Sequence, residues 1–85
     1  MGEYKRYFTK LAEKDLNKLD TKLGFKILEK IKELSEIPRP QGVKKLKTTN
    51  YHRIRVGDYR VVYEIDDIGK TITVYKIRHR KDVYR

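Results

Sequence analysis

The chain has 85 residues, 38% of them hydrophobic and 40% charged, which is room for one domain around one modest core. It has no cysteine, which excludes disulfides, thiolate nucleophiles and Cys-ligated zinc, and no apolar stretch nears the roughly 20 residues of a membrane span. Its formal charge of +10 is lopsided: residues 1–37 carry 9 Lys/Arg against 7 acids, and residues 38–85 carry 13 against 5. Such a field suits a polyanion, of which nucleic acid is the commonest in a cytosol, against the plainer reading of a lysine-rich solubilising surface. A cytoplasmic protein is expected.

In chain order, Glu3 to Phe8 reads as a short strand with Tyr4 and Phe8 turned inward. Thr9 is placed to cap a helix on which Ala12, Leu16 and Leu19 recur at helical spacing. Asp20-Thr21 breaks it, and a second helix sets Leu23, Ile27, Leu28, Ile31 and Leu34 on one stripe. Pro38 and Pro40 force a stop near Ile37. After Gln41-Gly42 the period changes from helical to alternating: Tyr51 to Val56, then Gly57-Asp58 as a two-residue hairpin loop, then Tyr59 to Ile65. Asp66 to Lys70 is a second turn, Thr71 to Ile77 a third strand, and Arg78 to Arg85 a basic tail. The expected architecture is a single α+β domain spanning 1–85: an N-terminal strand, an antiparallel helix hairpin, then a three-stranded antiparallel sheet with a short tail.

A two-residue loop at 57–58 makes facing residues sum to 115. His52, Ile54 and Val56 then oppose Tyr63, Val61 and Tyr59 on the face that receives the helices. Arg55 opposes Arg60, Arg53 opposes Val62 and Tyr51 opposes Glu64 on the other. Like charges facing each other destabilise a sheet, so an arginine cluster there calls for an anion, and guanidinium forks match phosphate oxygens. Its bland counterpart is a charge-protected edge or arginines paired with acids such as Glu64. His79 alone is more often a surface histidine than a proton carrier, His52 reads as a core residue against Tyr63, and Tyr59, Tyr63 and Tyr75 read as packing. No glycine-rich phosphate loop, metal-ligand spacing or Ser/His/Asp arrangement is present, so neither metal nor cofactor is expected.

The stretch from Tyr51 to Ile65 resembles the central hairpin of the RelE/ParE superfamily of toxins, in its RelE-like branch. So do the terminal Ile77 to Tyr84 and the helix hairpin ending at Ile37-Pro38. A Gly-x-Tyr-Arg-x-x-Tyr hairpin joined to a His-Arg-x-x-x-Tyr tail is a specific combination, and the likeness spans essentially the whole chain. It implies a metal-independent endoribonuclease that enters the ribosomal A site, meets rRNA there and cuts mRNA by attack of a ribose 2′-hydroxyl on the adjacent phosphate. A cognate RelB-like antitoxin would neutralise it. On this resemblance Arg60 holds the phosphate, Arg53 and Arg55 are the paired basic residues, Arg80 is the leaving-group acid and Tyr84 stacks on a base. Lys44, Lys45, Lys47, Tyr51, Arg78 and Arg85 would supply further RNA contacts. The paired positions, often Lys in relatives, are Arg here, and Arg does not release its proton. The base would then be Tyr84 or His79, or catalysis would be electrostatic. Arg78 stands where many relatives have Gly. The same family implies two other readings, a ParE-like inhibitor of DNA gyrase and a catalytically weak RNA binder.

Overall fold

A computed structural model describes residues 3–46 and 50–81. Lys5–Phe8 forms β1, and Thr9, with extended backbone, ends it and starts α1 (Lys10–Asn17) by accepting from the Ala12 amide at 3.0 Å. Asp20 repeats the device, taking the Leu23 amide at 2.8 Å to open α2 (Thr21–Glu36). Four strands follow: β2 (Lys44–Lys45), β3 (Tyr51–Val56), β4 (Tyr59–Asp66) and β5 (Thr71–His79). The sheet has five strands in the order β1-β5-β4-β3-β2, with β1 parallel to β5 and every other pair antiparallel. The expected three-stranded sheet is thus its centre. The early strand inserts beside the last, and two lysines add a short rung at the far edge.

Both helices lie on one sheet face. Ile27, Ile31 and Leu34 of α2, with Ala12 of α1, close over Ile54, Val61, Tyr63, Ile65, Ile72, Val74 and Ile77. Leu28 departs from the expected stripe: it is 41% exposed, one residue round the helix from the fully buried Ile27. Tyr63, fully buried, satisfies its hydroxyl by donating to the Pro38 carbonyl at 2.7 Å, which fixes the chain where α2 ends. Among the described residues no helix is long and apolar enough to cross a membrane.

Three distant segments are tied together outside the core. Arg39 grips Asp67 with two bonds, at 2.9 and 3.2 Å, and the Tyr4 hydroxyl donates to the same carboxylate at 2.7 Å. The Arg39 guanidinium first, and the Tyr4 hydroxyl after it, pull the Asp67 carboxyl down to about 2. A depressed carboxylate contributes stability above its unfolded value, near 4, and loses it as pH falls toward the folded one. Melting profiles should therefore show the parent losing stability more steeply than Asp67→Asn between about pH 4 and 2. Parallel profiles would mean the cluster is solvated and does not stabilise the fold.

Candidate nucleic-acid interface

The outer face is built by the hairpin. Gly57 has φ +60°, the left-handed value that a type II′ turn needs at its first central position, and the six cross-strand pairs are those that a loop at 57–58 dictates. Arg55 therefore faces Arg60, and β5 extends the row by setting Arg78 opposite Arg60. The next row is Lys44, Arg53, Val62 and Lys76, with Val62 only 3% exposed among these long side chains. The third row runs Tyr51, Glu64, Thr73 and Tyr7. Cations thus hold the hairpin end of this face and tyrosines the other.

The ion pairs within the described residues leave Arg53 joined to no acid. Arg55 is exposed, donates from Nε to the Gly57 carbonyl at 2.8 Å and stands 4.0 Å from Asp58. That aims its fork along the turn. Arg60, in the middle strand, is half-buried between its arginine neighbours. Arg78 shares the row by backbone register, yet its guanidinium reaches round the strand to Asp15 of α1, with Nε 3.1 Å from the carboxylate. Asp15, 7% exposed, also accepts the Ile77 amide at 3.0 Å. One carboxylate of α1 so closes the stretch of β5 edge beyond the reach of β1.

His79 and Arg78 are strand residues rather than the start of a tail, and His79 does not join the arginines. It pairs with Tyr59, ring against ring at 5.2 Å and 86°, beside α1 on the helix side of the sheet. The reason is a one-residue irregularity: pairs between β4 and β5 step from Val62↔Lys76 to Tyr63↔Val74, leaving Tyr75 extra. A bulge of this kind inverts which side every later residue takes. Arg80 is exposed, and its amide bonds the Asp58 carbonyl at 2.8 Å, holding the strand end to the hairpin turn. Lys44 lies in the Arg53 row, whereas Lys45 pairs with His52 and lines the opposite side. His52 is buried, stacked on Tyr63 at 5.8 Å, and burial pushes its imidazole below the ordinary range. It is a core residue. Tyr84, Arg85 and Lys47 lie outside the described residues.

Tyr75, expected as core or rim packing, lies at the rim: it is 36% exposed and stacked on Tyr51, with ring centroids 5.1 Å apart and planes at 23°. Val74 and Ile77 are both core residues three apart, a spacing that strict alternation forbids.

A family model described as the ParE toxin of the type II toxin–antitoxin system, parDE, matches residues 7–84. The chain is 32% identical over 80 residues to Toxin RelG of Mycobacterium tuberculosis, covering 92% of each. Among solved structures it is similar to a chain of the archaeal RelE–RelB complex of Pyrococcus horikoshii, with TM-score 0.82, 31% identity and coverage of 92% of this chain and 96% of that one. It is also similar to a chain of the RelBE2 toxin–antitoxin complex of Mycobacterium tuberculosis, with TM-score 0.80, 31% identity and coverage of 92% and 99%.

Proposed function

Since this chain belongs to the ParE toxin family of type II toxin–antitoxin systems, within the RelE/ParE superfamily, we propose that it is a cytoplasmic, ribosome-dependent endoribonuclease that cuts mRNA in the A site, against rRNA. The observation that carries this reading is the arginine pair Arg55–Arg60, with Arg53 beside it, on the sheet face turned away from the helices. Three guanidinium groups kept side by side at a cost in repulsion are suited to a phosphate passing through a more highly charged transition state. Arg60 is proposed to hold the scissile phosphate, Arg53 and Arg55 to stabilise its developing charge, and Arg80 and Tyr84 to serve the leaving group and the neighbouring base. Guanidinium groups cannot act as the base, and His79 points to the helix side, so electrostatic stabilisation and alignment of the 2′-hydroxyl are the main proposed contribution of the described residues.

A RelB-like antitoxin is the proposed partner. Phe25 is 64% exposed and Leu28 41%, and with Phe8 they line an open groove of about 860 Å³ between α2 and β1, rimmed by Arg6 and Lys32 and by Glu29, Glu33 and Glu36, apolar surface that an amphipathic helix would cover. The second reading, inhibition of DNA gyrase, is favoured by the ParE description of the matching family model. Primer extension on mRNA from a translating lysate separates the two: codon-positioned stops are expected, and intact mRNA together with blocked supercoiling would replace the nuclease by the gyrase reading. RNA affinity should also fall as salt rises, with a log–log slope of about 0.7 per phosphate neutralised on a single strand. A flat titration would remove the basic face as the binding surface.

A further inference from the structure

The outer face carries a feature that cation rows alone do not require. Tyr75 and Lys76 are consecutive, yet both project from the same face, because Val74 before them and Ile77 after them are core residues. The extra residue is held in place rather than tolerated. Thr9 donates its hydroxyl to the Tyr75 carbonyl at 2.6 Å, and its amide bonds the Val74 carbonyl at 3.0 Å. Bulges recur where a strand must re-aim a side chain next to a site. Here the re-aimed ring stacks on Tyr51, and the Lys76 ammonium stands 5.6 Å from the Tyr75 ring centroid. Along β4 the bulge lies two to three residues from Arg60, on the order of 8 Å.

We propose that Tyr75, backed by Tyr51, is a stacking platform for an unpaired nucleobase, and that Lys76 takes the phosphate attached to it. The proposal rests on the reading of this face as RNA-binding and adds a second nucleotide subsite to it. Its occupant is a nucleotide flanking the one gripped by Arg60. Stacking on an aromatic face is tolerant of base identity, so the subsite contributes affinity and register with little sequence choice.

The probe is a short single-stranded RNA, blocked against cleavage by 2′-O-methyl groups, with 2-aminopurine moved along it one position at a time. The full chain should quench the fluorophore at one position near the gripped phosphate. Tyr75→Ala should abolish that quench and weaken binding about tenfold, whereas Tyr75→Phe should keep both. An abasic residue at that position should weaken the parent by a similar factor and leave Tyr75→Ala unaffected, a comparison that does not depend on how the variant folds. Equal binding of abasic and intact RNA by the parent overturns the platform. If Arg60→Ala loses RNA while Tyr75→Ala does not, the basic face stands without a platform. If the parent binds no RNA, the reading of the whole face fails. Loss of antitoxin binding alone in Tyr75→Ala makes the ring a protein contact and also overturns the proposal.

Discussion

Replacing Arg60 with alanine should lower the rate of codon-positioned mRNA cutting by about 10² to 10³, the usual cost of removing one preorganised donor from a developing oxyanion. Arg60 occupies the central strand, with Arg55 on one side and Arg78 on the other. Arg55 leans on its own turn and Arg78 reaches Asp15, whereas Arg60 sits half-buried at the centre of the row, where one guanidinium can be flanked by charge from both neighbouring strands. Arg60→Lys should fall between parent and alanine variant, because an ammonium keeps the charge and loses the bidentate geometry. Time courses of primer-extension products give the rates, and far-UV circular dichroism verifies that each variant is folded. An alanine variant that cuts like the parent would end the assignment of the scissile phosphate to this row.

Ile27→Ala should cost about 2–5 kcal/mol, since a fully buried branched side chain leaves a cavity that the sheet below cannot refill. For a domain of this size that corresponds to a melting temperature lower by roughly 10 °C or more. The adjacent Leu28→Ala should change stability by less than about 0.5 kcal/mol, because its side chain already meets solvent. Thermal melts of the two variants form one comparison, and a larger loss at position 28 would mean the helix is rotated from its described orientation. Leu28→Ala should instead weaken antitoxin binding, if the groove beside α2 is where that partner lies.

What could be read from the chain follows how local the deciding interactions are. All six pairs of the β3–β4 hairpin were legible, because a two-residue Gly57-Asp58 loop leaves a single register and the alternation of Ile54, Val56, Tyr59 and Val61 fits only that one. The cap at Thr9 is of the same kind, bonding an amide three residues on, and Asp20, legible only as a break, caps α2 by the same bond. Leu28 misled because five apolar residues on α2 span more of the helix than the sheet can cover. The parallel pairing of β1 with β5 joins Lys5 to Thr71 across most of the chain, and nothing near either residue announces it. The sides taken by His79 and Tyr75 hang on the bulge, and the bond that holds the bulge comes from Thr9, 66 residues away. Alternation counted from Ile72 and Val74 would have put His79 with the arginines, and one inserted residue sends it to the helices. Resemblance named the arginines and was silent on Asp15, since a carboxylate that turns Arg78 toward a helix is visible only once both are placed.

Thr9 has a single hydroxyl proton and spends it on the Tyr75 carbonyl, while the same oxygen accepts the amide that starts α1. The first turn of the helix and the kink in the last strand are thereby one mechanical joint. Fraying at the N-terminus of α1 would slacken the strand segment bearing Tyr75, Lys76 and Arg78. Whatever steadies that short helix from behind is then felt as stiffness on the opposite side of the molecule.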